Sequence, residues 1–124
     1  MAVTVNFSPA AVDLIGIRAG DQNRMQVILT SGGLPWDLTG YEVAAQARLT
    51  ADHEEALNAE VFMTDPTNGV VAVEWPGEAV RALLGLLTQW RGVWDLQITP
   101  TGGEPYTVAA GAFLAELDVT REDV

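Results

Sequence analysis

The feature that most constrains this chain is a set of short segments in which apolar and polar residues alternate. In residues 41–49 the odd positions are apolar, while Glu42 and Arg48 fall on the opposite face. Residues 57–63 and 94–98 follow the same pattern. A period of two residues is that of a β-strand with one buried and one solvated face. We therefore expect antiparallel sheets, which commonly keep one face in water.

Clusters of turn-forming residues separate these segments. Ser31-Gly32-Gly33, residues 65–69 and Thr101-Gly102-Gly103 each place glycine or asparagine where a hairpin needs positive φ. Strands bounded by such clusters at close spacing are typical of an all-β fold. The segments that we predict as strands are 13–17, 24–30, 41–49, 57–63, 70–75, 92–99, 106–109 and 112–119.

One stretch, near residues 77–87, departs from the period of two. Its apolar residues Val80, Leu83, Leu84 and Leu87 are spaced i, i+3, i+4 and i+7, which predicts an amphipathic helix. We expect this helix to lie across an open end of the sheets. The fold class that we predict is all-β, an immunoglobulin-like antiparallel β-sandwich of about seven or eight strands with one short helix near residues 77–87.

The length of 124 residues fits one domain with a real hydrophobic core. Residues 1–12 show little periodicity and include Ser8-Pro9, so we assign them to an amino-terminal arm with one helical turn after Ser8. Residues 13–121 form the predicted sandwich domain, and 122–124 a short tail.

The composition excludes several kinds of chemistry. The chain has no cysteine, and all six basic residues are arginine, so mechanisms that need a thiolate or a lysine are ruled out. A net charge of −11 with singly scattered arginines argues against nucleic acid as a partner. The amino terminus has no basic region and no segment approaches the ~18 apolar residues of a membrane span. We expect a soluble, unsecreted protein without a membrane partner.

The acidic residues and the single histidine suggest no reactive site. His53 lies beside three acids but lacks a second histidine, and the only serines are Ser8 and Ser31, both in arm or turn settings. Residues 65–69 lack the spaced oxygen donors of a calcium loop, and we assign the acids from Glu116 onward to a solvated strand face. We predict no catalytic, cofactor-binding or metal-binding residues.

The four tryptophans are the strongest candidates for recognition. Trp94 alternates with Leu96 and Ile98 and is predicted to lie in the core. Trp36, Trp75 and Trp90 lie near a loop or the ends of the helix, and we take them as candidate interface residues. Three roles remain open for them: core packing at the ends of the sandwich, a protein interface, or stacking on a sugar ring.

Several short motifs follow one another in a characteristic order along the chain. They are the segments 15–21, 33–41 (with Asp37-Leu38-Thr39-Gly40), 68–71, 94–97, Gly111 and the closing Asp118-Val119-Thr120-Arg121. This succession, from about residue 15 to 121, resembles the small β-sandwich domain of tail and baseplate proteins of long-tailed bacteriophages. That family includes the amino-terminal domain of upper baseplate proteins and related minor tail proteins.

The resemblance implies a structural virion component with no catalytic residues. We expect a minor tail or baseplate protein, made in the host cytoplasm, that binds other tail or baseplate proteins and forms a symmetric homo-oligomer in the virion. Two alternatives stay open. One is a capsid decoration protein, and the other is a carbohydrate-binding module that uses exposed tryptophans, Trp36 or Trp90.

The Asp37-Leu38-Thr39-Gly40 motif also has a purely physical interpretation. The Asp37 carboxylate is placed to accept a hydrogen bond from the backbone N–H of Thr39 or Gly40, which makes an Asx-type turn into the next strand. We expect Gly40 to adopt a conformation that a β-carbon would penalise by about 1 kcal/mol or more.

Overall fold

The computed structural model describes residues 2–5, 10–19, 23–50 and 55–117, with only the backbone for residues 2–5 and 10–11. His53 and the motif and tail beyond residue 117 lie outside these ranges. The helical turn expected after Ser8 is not formed at residues 10–11, which are a strand. The described elements are β1 (Ala2–Val5), β2 (Ala10–Ala11), β3 (Leu14–Arg18), β4 (Asn23–Ser31), β5 (Leu34–Pro35), β6 (Glu42–Arg48), β7 (Leu57–Asn58), β8 (Glu60–Asp65), β9 (Val70–Trp75), α1 (Gly77–Leu84), β10 (Gln89–Thr99) and β11 (Tyr106–Glu116).

Within the described ranges these strands form two sheets, and the protein is an all-β sandwich as predicted. The first sheet has the order β1-β4-β9-β8, with β5 paired to β4 through the two-residue turn Gly32-Gly33. The second has the order β2-β11-β10-β6-β7, with β3 also paired to β11. The pairs among β4, β8 and β9, and among β6, β7, β10 and β11, are antiparallel.

The core lies between the sheets and is apolar; no described polar or charged residue is buried. Trp75 of the first sheet packs edge-on against Phe113 and Trp94 of the second, with ring centroids 4.9 and 6.4 Å apart. Burial of aromatic residues contributes strongly to such a core because each covers a large apolar area. The other fully buried large side chains are Leu14, Leu29, Leu38, Leu84, Leu96, Ile98, Val27, Val71 and Val73.

The sandwich is not wholly antiparallel, which corrects the prediction. β1 pairs with β4 in parallel, and β2 and β3 both pair with β11 in parallel. The described parts of the predicted arm, residues 2–5 and 10–11, are therefore strands at the edges of the two sheets. Local periodicity cannot indicate strand direction, because the alternation of faces is the same in both cases.

The division of the chain into strands also differs from the prediction at two places. Residues 57–63 divide at Ala59, because β7 pairs with β6 in the second sheet whereas β8 pairs with β9 in the first. The two predicted strands at 106–109 and 112–119 are one strand, β11. A register shift in β11, opposite Leu96 and Gln97, accommodates one extra residue and allows the strand to continue.

The predicted helix forms but ends before residue 87. α1 buries Val80 and Leu84 against the second sheet, as expected for the apolar stripe. Gly85, with φ of 58°, ends the helix, and its N–H donates to the Arg81 carbonyl. Leu87 is consequently 55% exposed and does not join the core.

Candidate interaction surfaces

Trp75 does not belong to an interface, which corrects its place among the candidate residues. Its side chain is only 1% exposed, and it makes the edge-on contacts with Phe113 and Trp94 that join the two sheets. The position at the end of β9, before the helix, suggested exposure. The side chain nevertheless points inward because Trp75 continues the buried positions Val71 and Val73 of the same strand.

Trp90 is half-buried beside the helix. Its ring packs edge-on against Phe113, at 5.8 Å between centroids. It also lies over Gly92, where an added β-carbon would overlap the ring. Trp90 lines a hollow of approximately 460 Å³ with Leu49, Leu83 and other mostly apolar residues between the helix and β6–β7.

Trp36 lines a larger groove at the other end of the sandwich. This Trp36 groove has a volume of approximately 740 Å³ and is formed by Ser31, Pro35, Trp36, Asp37, Tyr41, Pro105, Tyr106, Thr107 and Val108. Trp36 and Tyr41 contact edge-on at 6.2 Å, and Tyr106 is 55% exposed. Of the three candidate interface residues, Trp36 has the most aromatic neighbours at the surface.

Backbone hydrogen bonds anchor the chain on both sides of Asp37. The N–H of Trp36 donates to the Leu29 carbonyl at 3.0 Å, and the N–H of Leu38 donates to the Pro66 carbonyl at 2.8 Å. Leu38 is fully buried. The indole and the carboxylate are therefore held on a short, well-fixed segment of the groove wall.

The Asp37 turn has the predicted geometry. Oδ1 of Asp37 accepts a hydrogen bond from the Thr39 N–H at 2.9 Å, and Gly40 has φ of +84°. The structure adds Thr101, whose hydroxyl donates to the Gly40 carbonyl at 2.8 Å. Hydrogen bonds from the Thr39 side chain and backbone lower the pKa of Asp37 from its ordinary value. The carboxylate on the groove wall therefore stays ionised at neutral pH.

The sequence indicated Trp36 and Asp37 but not the rest of the groove. Tyr106 and Pro105 lie more than sixty residues away in the chain and reach the groove because β11 begins there. In the sequence these two positions show only a tyrosine after a proline, which does not indicate a partner. The groove is thus a product of the tertiary fold.

A third surface, which carries a row of hydrogen-bonded polar side chains, lies on the outer face of the second sheet. Gln46 accepts from Arg48 at 2.9 Å and donates to Asn58 at 2.7 Å, beside a hollow of approximately 330 Å³ that Asp95 also lines. Burial raises the pKa of Asp95, although the nearby Arg48 charge and a hydrogen bond from Gln97 act in the opposite direction. These bonds join neighbouring side chains of the sheet to one another.

No cluster of three metal-ligating side chains occurs among the described residues. In the same ranges, no helix combines the length and the apolar character that crossing a membrane would require.

No family model and no curated protein matches this sequence. Among solved structures, the N-terminal domain of phage TP901-1 ORF48 is similar, with a TM-score of 0.57 and 14% identity over 94% of this chain and 96% of that one. The bradyzoite-specific antigen BSR4 from Toxoplasma gondii aligns over 96% of this chain and 49% of its own, with 11% identity. Its TM-score of 0.31 is too low to indicate a shared fold. Along nearly its whole length, this chain therefore shares its fold with a domain of a phage protein.

Proposed function

We propose that this protein is a non-enzymatic structural component of a bacteriophage virion. Its finer role would be that of a minor tail or baseplate protein that acts as an assembly adaptor through protein–protein contacts. The observation that carries the proposal is the shared fold with the N-terminal domain of a phage protein, which extends over 94% of this chain. The ordered motifs, which resemble the tail and baseplate domain, support it independently.

The surfaces suit a protein whose partners are other proteins. The Trp36 groove combines aromatic and proline side chains with one carboxylate, and aromatic residues are enriched at the centres of protein interfaces. The partners that we propose are other tail or baseplate proteins, with several symmetric copies of this chain in one virion. We propose no catalytic residue and no cofactor.

The charge is consistent with this role. A net charge of −11 keeps free subunits apart and soluble while their aromatic surfaces are still uncovered. Assembly would then bring each subunit against a partner of complementary charge.

The experiment is to locate the chain in intact particles. Virions purified from the phage that encodes it should contain the chain by mass spectrometry, and heads separated from tails should leave it in the tail fraction. Antibody labelling viewed by electron microscopy provides a second measurement. Finding the chain only in heads would favour a capsid decoration protein, and its absence from virions would refute the structural role.

A further inference from the structure

At one place on the surface an arginine contacts both an aromatic ring and a carboxylate. The guanidinium carbon of Arg24 lies 4.7 Å from the centroid of the Phe62 ring. The same guanidinium approaches the Glu74 carboxylate at 3.9 Å. A guanidinium suits both partners, because its flat face is attracted to an aromatic ring and its N–H groups donate to carboxylate oxygens.

The Trp36 groove contains two of these three elements. Trp36, Tyr41 and Tyr106 supply the aromatic surface, and Asp37 supplies the carboxylate. None of the residues that line the groove is basic. From this complementarity we propose that the Trp36 groove docks an arginine side chain presented by a partner protein; this partner chemistry rests on the proposed adaptor function.

The electrostatics of the groove favour a cation. Asp37 is the only charged residue among those that line the groove, and exposed Glu104 directly precedes Pro105 at its rim. The hydrogen bonds from Thr39 that lower the pKa of Asp37 also fix the direction of its carboxylate. A carboxylate has about four acceptor positions, so the Asx turn does not exhaust its capacity.

The same electrostatics favour a different protein over a second copy of this chain. Two copies would each carry a net charge of −11 and would repel one another at long range. Two of the chain's own arginines, Arg18 and Arg24, already pair with Glu116 and Glu74. A partner with an exposed arginine gains attraction from both the local carboxylate and the overall charge.

The four indole N–H groups provide the measurement. We would titrate the ¹⁵N-labelled full chain with the peptide acetyl-Gly-Arg-Gly-amide and follow each indole signal, assigned with single Trp→Phe variants. The signal of Trp36 should shift and saturate, whereas those of the buried Trp75 and Trp94 should stay unchanged. The isosteric citrulline peptide, which carries no charge, should give no saturable shift.

Two variants with the same change in net charge separate the groove from general attraction. Asp37→Asn keeps an oxygen that accepts from the Thr39 N–H but removes the charge, and it should weaken peptide binding about two- to five-fold, the range for an exposed ion pair. Glu78→Gln removes a charge from the exposed side of α1, away from the groove, and should leave the affinity unchanged. Tyr106→Ala should weaken binding, whereas Tyr106→Phe should preserve it. The dispersion of backbone signals shows whether each variant is folded.

Four results would overturn the proposal: no saturable shift of Trp36, equal shifts with arginine and citrulline, equal weakening by Asp37→Asn and Glu78→Gln, or a shift that follows protein concentration without peptide. The last would identify a second copy as the occupant. A Trp36 shift with cello-oligosaccharides but not with arginine would identify a carbohydrate site instead. These results are independent of virion composition, so the adaptor function and the arginine site can fail separately.

Discussion

The indole N–H of Trp94 donates a hydrogen bond of 2.7 Å to the backbone carbonyl of Val12, 82 residues earlier in the chain. Val12 lies between β2 and β3, which pair with the same strand β11. Next to it, Oδ1 of Asp13 accepts from the Ala112 N–H at 3.0 Å. The connection between the two short strands is therefore held by the side chain of Trp94, from the core, and by that of Asp13, from the connection itself.

Replacing Trp94 by phenylalanine should show how much the hydrogen bond to Val12 contributes to the free energy of unfolding. Trp94→Phe removes the donor and leaves the Val12 carbonyl without it, which should lower the free energy of unfolding by about 1–3 kcal/mol in addition to the lost packing. Trp75→Phe is a matched control, because Nε1 of Trp75 is buried with no hydrogen-bond partner among the described residues. Urea unfolding should show the larger loss for Trp94→Phe, and equal losses would contradict the assigned bond.

Gly111 should tolerate no side chain. A β-carbon at Gly111 would overlap the Val12 carbonyl, in the connection between β2 and β3. Gly111→Ala should therefore displace β2 and lower the free energy of unfolding by about 1–3 kcal/mol, as overpacking does. Gly102→Ala serves as a comparison for backbone strain alone, because that glycine has φ of 71° and open space around it. Thermal unfolding should show a loss for Gly111→Ala although its φ is not positive, and an unchanged melting temperature would contradict the close approach.

Sequence patterns predicted the elements better than their pairing. The bounds of Val70–Trp75 agree with the structure, because its ends coincide with Asn68-Gly69 and Pro76. By contrast, the parallel pairing of β2 and β3 with β11 depends on contacts such as that between Trp94 and Val12. No local rule links residues 82 positions apart, so this part of the topology requires the three-dimensional structure.

The sequence predicted the local part of the candidate surface but not the part that depends on tertiary packing. The Asp37 turn is local, and the hydrogen bond from Thr39 follows from residue types two positions apart. The burial of Trp75 and the exposure of Tyr106 depend on how the two sheets meet. The helix ends early for a local reason, since Gly85 adopts positive φ and ends it.

Gly40 should be sensitive to substitution because of its backbone conformation. Its φ of +84° suits glycine, and the nearest atom to an added β-carbon, Oγ1 of Thr101, is 3.7 Å away. The cost of Gly40→Val should therefore come from backbone strain, at about 1–2 kcal/mol or more. Gly40→Asn should cost less, because asparagine tolerates positive φ. Melting temperatures should fall in that order, and an unchanged value for Gly40→Val would refute the turn.

Asp95 should make stability depend on pH in the opposite direction from Asp37. Burial raises the pKa of Asp95, so its contribution to stability is fully present below the unfolded-state pKa and is lost as pH rises through the folded-state pKa. Asp95→Asn cannot ionise and should gain stability relative to the native chain between about pH 3 and 7, on either side of the usual carboxyl range. The pKa of Asp37 is lowered, so its contribution to stability is present above the unfolded-state pKa and is lost as pH falls through the folded-state pKa. As pH rises from about 3 to 7, Asp37→Asn should therefore lose stability relative to the native chain. Urea unfolding across this range measures both differences, and parallel profiles for the two variants would contradict the assignment.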